Sequence, residues 1–466
     1  MKTTITARVA QRAVPVLIVC YLLSFISRIN LGFAAVTMNR DLGLTINEFA
    51  TGAIVFLVGM VIFAIPSNLL MQIVGARRWI AALMIALGIV SGAFAFTPAI
   101  VDSLRASVVT DNAHVVYLLR FLLGAVTAGL VPAIIIYVAN WSTAAERARR
   151  IGSFFVAIPL AAAISLAIGS VSRYILESSN GAYGLQGWQW LLVIEAMPLI
   201  AVGVLALHYL EDTPLAIWWL EASERAALEA ELDADHRLRE ATFRRTLANW
   251  IAPLPIFGIL LLLLLLTSPQ ERRSLSKFAR TWTLALVYGL LSLGHGAIGL
   301  LFAQRPFTWL QALPYALAIV AIIVWTRSAD RSGRHAGYLA SAAFVAALAL
   351  LGVAGLNDPL SVALLIGLAV IASSSALAAI WPLPIAFLTG FPAAAGVAFI
   401  FAVGAMGVYL GPAVFAFVKS GWGSGAATFV FACGYLLAAL IALALGSDRI
   451  EASAATDAPE LSIARP

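Results

Sequence analysis

Runs of about 20 consecutive apolar residues recur along the whole chain, and this recurrence restricts the fold more than any other feature. A helix rising about 1.5 Å per residue needs about 20 such residues to cross the ~30 Å hydrocarbon layer of a bilayer. The runs cover about 14–34, 52–72, 78–98, 115–139, 151–170, 190–210, 281–303, 308–326, 336–355, 360–388, 393–417 and 427–446. They fall as six, a polar stretch near 211–247, and six more. Only 11% of the 466 residues are charged and 62% are hydrophobic, against about 25% and 45–50% in a soluble domain. That is too little charge to coat a soluble globule, which excludes a cytosolic enzyme, a nucleic-acid-binding module and a disordered chain. The fold class expected is an all-α polytopic membrane protein with twelve transmembrane helices. The first run has no A-x-A-like cleavage site after it and is expected to be retained.

Lys and Arg set the orientation. With a cytoplasmic N-terminus and twelve crossings, 22 of the 29 Lys and Arg residues fall on the inner side. Outer loops hold Arg40, Arg105, Arg173, Arg305 and Lys419, and Arg28 and Arg120 lie inside spans. This asymmetry places both termini in the cytoplasm and accounts for the net charge of +6 without nucleic acid. A further apolar stretch, 248–267, is flanked by Arg244 and Arg245 on one side and Arg272, Arg273 and Lys277 on the other. Pro253, Pro255 and Gly258 interrupt its start. It is expected to be an interfacial or re-entrant segment; the alternative is a thirteenth crossing.

Ionisable groups at membrane depth are costly and usually functional. Here they are Arg28 in the first span, Arg120 in the fourth, Glu195 and His208 in the sixth and His295 in the seventh. Two arginines with one distant carboxylate suggest an electropositive cavity. A guanidinium presents a planar fork of donors that matches a carboxylate, so an entering anion would supply the missing counter-charge. The bland alternative is that Arg120 anchors near a headgroup. Glu195 reads as a helix-packing group in preference to a proton relay, and His295, between Gly294 and Gly296, as either a hydrogen-bonded core histidine or a proton acceptor. Gly404, Gly407 and Gly411-Pro412 read as close helix approach, and Ser373-Ser374-Ser375 as substrate contacts from the tenth span or, more commonly for serines in a span, as bonded to their own backbone carbonyls. Trp381-Pro382 would cap a cavity or sit at the interface, and the run from Glu221 to Arg245 reads as an amphipathic linker helix. Cys20 and Cys433 form no disulfide framework or metal spacing, and no cofactor is implied.

The run Phe25-Ile26-Ser27-Arg28-Ile29-Asn30-Leu31-Gly32, continued by Asn39-Arg40-Asp41-Leu42-Gly43, resembles the first helix of the anion:cation symporter branch of the major facilitator superfamily. These are bacterial organic-acid permeases, among them tartrate, galactonate and hydroxyphenylacetate transporters. Ile65-Pro66-Ser67-Asn68, Gly75-Ala76-Arg77-Arg78-Trp79, Leu119-Arg120-Phe121, Glu146-Arg147-Ala148-Arg149, Gly187-Trp188-Gln189-Trp190, Ala329-Asp330-Arg331-Ser332-Gly333 and Phe387-Leu388-Thr389-Gly390 resemble later segments in order. The resemblance extends from about 12 to 447. It implies two six-helix bundles around a central cavity, rocked in alternating access. The bundles would be 1–210 and 281–447, joined by a cytoplasmic linker over 211–280 that holds the apolar segment, with a disordered cytoplasmic tail at 448–466. It also implies proton-coupled movement of a small organic anion through a monomer in the bacterial inner membrane. Arg28, Arg120, Ser27, Asn30, Thr127 and His295 are the expected substrate contacts, and Arg77, Arg78, Asp330 and Arg331 the expected gate.

Several positions depart from the family pattern. Ser27 stands where the family usually carries Asp, and Thr127 where it usually carries Glu; neither titrates near neutral pH. Ala64 replaces an acid, Gln72-Ile73 an acidic-basic pair, and Phe401 and Ala405 asparagines. Ile298 replaces an aromatic. Three readings follow: a uniporter or exchanger of an apolar carboxylate, coupling through another group such as His295, or a non-transporting protein derived from a transporter. A membrane enzyme is not supported, because no H-E-x-x-H, paired intramembrane Asp or G-x-S-x-G constellation lies in the spans.

Overall fold

The computed structural model describes residues 5–104, 111–142, 144–230, 232, 269–303, 312–388 and 390–445. The apolar segment 248–267 and the tail 448–466 lie outside them. Within them the chain is helical: α1 (Ile5–Leu42), α2 (Ile46–Val74), α3 (Ala76–Ala93), α4 (Thr97–Leu104), α5 (Asn112–Asn140), α6 (Ala144–Phe155), α7 (Ala157–Ser178), α8 (Gly187–Tyr209), α9 (Pro269–Ala303), α10 (Ala312–Ser332), α11 (His335–Gly355), α12 (Pro359–Ala379), α13 (Pro382–Phe387) and α14 (Gly390–Leu445). Lipid offers backbone groups no hydrogen bonds, so a spanning segment must satisfy them internally, and helices do so.

Ten stretches among the described residues are long and apolar enough to cross a membrane, two fewer than the twelve runs read from the sequence. One of the ten, Pro392–Leu445, has 54 residues, about 80 Å of helix and more than twice the hydrocarbon thickness. It is broken at Gly423, whose φ of 85° and ψ of 171° lie in a region open to glycine and strained for other residues. Beyond the ten, α7 is a 22-residue helix.

The helix starts are written in the sequence. Thr45 and Glu48 form a reciprocal capping box at α2: the Glu48 N–H donates to Thr45 Oγ1 at 3.2 Å and the Thr45 N–H to Glu48 Oε2 at 2.7 Å. Asp111 caps α5 by accepting the His114 N–H at 3.0 Å, and Asp358 caps α12 by accepting the Ser361 N–H at 2.8 Å.

Two glycine-lined seams set the closest helix pairs. A methyl at Gly124 of α5 would overlap the Phe56 carbonyl of α2. In the second half, methyls at Gly407 and Gly411 of α14 would run into the backbone of α9 at Gly289 and Leu293. Without a hydrophobic driving force between helices in lipid, such close backbone contact is what holds them together. The linker docks on the start of α1: Arg8 pairs with Glu224, and the Arg12 guanidinium lies 4.3 Å from the Trp219 ring centre.

The two halves meet at both ends of the bundle. At the end carrying the α6–α7 junction, Phe155 stacks on Trp381 with ring centres 5.7 Å apart and planes 16° from parallel. Trp381 is fully buried and also meets Tyr288 of α9 edge-on at 4.9 Å. Nearer the other end, Phe56 of α2 meets Tyr409 of α14 at 5.5 Å.

Candidate functional site

The two span arginines lie in the first half. On α1, Arg28 donates from Nε to the Ser24 carbonyl at 3.2 Å, and its guanidinium carbon is 5.4 Å from the Phe25 ring centre. On α5, Arg120 lies along the bare backbone of Gly52 on α2, 4.8 Å from the Phe49 ring centre. Aromatic faces attract a guanidinium through their quadrupole but do not neutralise it. Among the described residues neither arginine forms an ion pair. The Nε of Arg120 is buried and makes no hydrogen bond there.

Tyrosines connect the two cations. Tyr21, two turns before Arg28 on the same helix face, is within electrostatic reach of Arg28 and of Tyr409. Tyr409 is within the same reach of Arg120. Tyr21 also meets Phe154 edge-on at 5.7 Å, beside the Phe155–Trp381 stack. Each cation thus has a ring face beside it and a phenol within electrostatic reach. Such a setting can hold an anion whose remaining body is flat or apolar.

The other expected substrate contacts are engaged elsewhere. Ser27 turns to a different side of α1, where its Oγ lies 2.8 Å from both Ser91 Oγ and Glu195 Oε1. Asn30 accepts from Ser172 Oγ at 2.8 Å. Thr127 donates to the Leu123 carbonyl of its own helix at 2.6 Å, as hydroxyls in apolar helices commonly do. In the second half, His295 Nδ1 lies 3.0 Å from Ser373 Oγ. Ser27, Asn30, Thr127 and His295 thus make their hydrogen bonds away from the two guanidinium groups. Tyr21, Tyr409 and Phe49 escaped the sequence reading. Tyr21 carried a usable signal, its seven-residue spacing from Arg28; Tyr409 comes from the other half and carried none.

Of the expected gate residues, Arg77 is bound within its own half. Its Nη1 is 3.2 Å from Glu211 Oε2, and its N–H donates to Asp212 Oδ1 at 2.9 Å. Burial holds the Glu211 carboxyl above the ordinary glutamate value, with Arg77 pulling it the other way. Arg78 and Arg331 are exposed, and Asp330 is half-buried near the end of α10. The contact between the halves at this end includes the Phe155–Trp381 stack and a close approach of Gly152 to Thr326 of α10.

Comparison with known proteins agrees with this architecture. Residues 17–308 match the family model of the Major Facilitator Superfamily. A candidate tartrate transporter of Agrobacterium vitis is 33% identical over 452 residues, covering 95% of this chain and 94% of that protein. A candidate metabolite transport protein of Pseudomonas putida, NicT, is 36% identical over 263 residues, covering 55% of this chain and 56% of that one. Among solved structures, the proton:xylose symporter XylE bound to a bromodeoxyglucose superposes with a TM-score of 0.66 at 12% identity, covering 96% of this chain and 99% of that one.

Proposed function

Because the chain belongs to the Major Facilitator Superfamily of membrane transporters, we propose that it carries a small organic carboxylate across the bacterial inner membrane, with Arg28 and Arg120 as the anion's counter-charges. The observation that carries this reading is the pair of span arginines without a carboxylate partner among the described residues, one with an unbonded buried nitrogen. A buried charge left unpaired is strongly unfavourable. A carboxylate guest relieves it with charge-assisted, forked hydrogen bonds. The names of the Agrobacterium and Pseudomonas relatives support a small polar metabolite as cargo.

The transport cycle follows from the two contacts between the halves. Parting Phe155 from Trp381 opens one face to Arg28, and parting Phe56 from Tyr409 opens the other; alternation carries the anion across. The moving bodies are 1–210 and 281–447, with both termini on the cytoplasmic side by the Lys/Arg asymmetry. The Arg77–Glu211–Asp212 contacts tie the start of α3 to the end of α8, so the first half moves as one body. We assign Arg78, beside Arg77 at the start of α3, and Asp330 and Arg331, at the end of α10, to the closure of the inner opening.

The test is uptake of labelled tartrate by the purified protein in proteoliposomes, with other organic acids and neutral sugars as competitors. Saturable uptake, competed by carboxylates and lost in Arg28→Ala, supports the reading. Uptake that is unchanged in Arg28→Ala, or competed equally by neutral sugars, overturns it.

A further inference from the structure

The cluster around Glu195 has a chemistry that the arginine site does not use. Glu195 of α8 is buried at 7% exposure and meets two serines from two other helices. Ser27 Oγ of α1 and Ser91 Oγ of α3 are 2.8 Å apart, and they lie 2.8 Å and 2.5 Å from Glu195 Oε1. All three edges of this triangle of oxygens are at hydrogen-bond length. Three such edges need three hydrogens, and the two serines supply two. A neutral carboxyl supplies the third and closes the ring, each oxygen donating once and accepting once. An ionised carboxylate leaves one edge as two facing lone pairs. It would also leave negative charge on Oε2, which is buried and has no hydrogen bond among the described residues. Asn30 faces the same carboxyl without bonding that oxygen in normal geometry.

Among the described residues, the elements packed on Glu195 bring it no cation. Arg28 of α1 turns to the Ser24 carbonyl and the Phe25 ring. Arg77 and Arg78 of α3 lie more than three helical turns from Ser91, Arg77 being bound to Glu211 and Asp212. Arg173 and Glu177 of α7 are exposed, and Ser172 is bonded to Asn30. On α8 itself, His208 lies more than three turns away.

We infer that Glu195 is the proton site of this transporter, loaded when the Ser27–Ser91–Glu195 ring is closed and coupled to the anion site through α1. On release, the carboxyl O–H bond breaks and the proton passes to water entering between α1 and α8. The carboxylate left behind draws both serine hydroxyl hydrogens to itself. The Ser27–Ser91 edge then has no hydrogen, and the two oxygens, with the helices carrying them, move apart. Arg28 follows Ser27 directly in sequence, so a shift of α1 against α3 moves the anion's counter-charge. This inference rests on the anion-transport reading for its partner site, although the proton itself can be observed without any substrate.

The first experiment is infrared difference spectroscopy of the purified protein in vesicles across a pH titration. The expected result is a protonated-carboxyl absorbance at neutral pH that disappears in Glu195→Gln and shifts in frequency in Ser91→Ala. A spectrum unchanged by both variants overturns the inference. The second uses labelled tartrate in proteoliposomes. An acid-outside gradient should raise wild-type accumulation by up to about tenfold per pH unit for one proton moved per anion. Glu195→Gln should still exchange tartrate for tartrate and should ignore the gradient; a Glu195→Gln protein that keeps the gradient response overturns the inference. Wild-type protein that takes up no tartrate counts against the anion reading, and the infrared result still decides the proton site.

Discussion

The two halves of the molecule use their polar groups differently. The first half holds ionisable groups in its spans: Arg28, Arg120 and Glu195 all lie at membrane depth. Among the described residues from 281 to 445, Arg327, Asp330, Arg331, Arg334 and Asp358 sit near helix ends or between helices, and Lys419 sits four residues before the break at Gly423. The deep polar groups there are neutral, with His295 against Ser373 and Tyr435 donating to the Leu291 carbonyl at 3.0 Å. The second half instead lends bulk and ring faces, with Trp381 and Tyr409 reaching the first half. On the proposed reading, one half recognises charge and the other shapes the space around it. A pseudo-symmetric frame therefore does not require symmetric chemistry.

This division can be broken by substitution. The largest effect is expected at the bulkiest shape element. Trp381→Ala should lower stability by about 3–5 kcal/mol, in the range for emptying a large aromatic from a packed core, read as a lowered melting temperature in detergent. A change of under about 1 kcal/mol would show that the second half does not brace the first there. Next comes charge. Arg28→Ala should reduce tartrate kcat/KM by about 10–150-fold, from the loss of a charge-assisted hydrogen bond of about 1.5–3 kcal/mol. His295→Gln should cost only a few-fold, and the reverse order would move recognition to the other half. Smaller again, Tyr435→Phe should cost about 0.5–1.5 kcal/mol of stability and leave tartrate affinity unchanged.

The smallest effect tests where the halves are alike. Asp111 is held below the ordinary aspartate value of about 3.9 by the His114 N–H and then its ring, and Asp358 by the Ser361 hydroxyl and then its N–H. A depressed folded-state value adds stability that is complete above the unfolded value and fades as pH falls through the folded one. Asp111→Asn and Asp358→Asn should therefore each flatten the acid limb of melting temperature against pH, to the same slight extent. Unequal flattening would show that the caps, too, are used differently.

How much the sequence revealed depended on the range of the contact. The helices were legible because lipid imposes a length of apolar residues that any window detects. Arg28 and Arg120 were legible as charges inside such windows. The ring around Glu195 was not: Ser27 lies 64 residues from Ser91 and 168 from Glu195, and a lone serine in an apolar run carries no mark of its partner. One of the two spans by which the count differed has a local reason. Helix runs on through Lys419 and Ser420 and the backbone turns at the single residue Gly423, so the last two runs form one continuous stretch. Arg77 was legible as a basic residue at an expected gate, but Glu211 and Asp212, which bind it, became its partners only through folding.

The contact between Phe155 and Trp381 has a consequence for how the protein responds to its surroundings. A latch of opposite charges weakens as dissolved ions screen it, within a Debye length of about 8 Å at physiological ionic strength. Two flat rings pressed face to face carry no net charge to screen. Their hold answers to temperature and to the polarity of what replaces them, so screening ions leave the strength of this one contact unchanged.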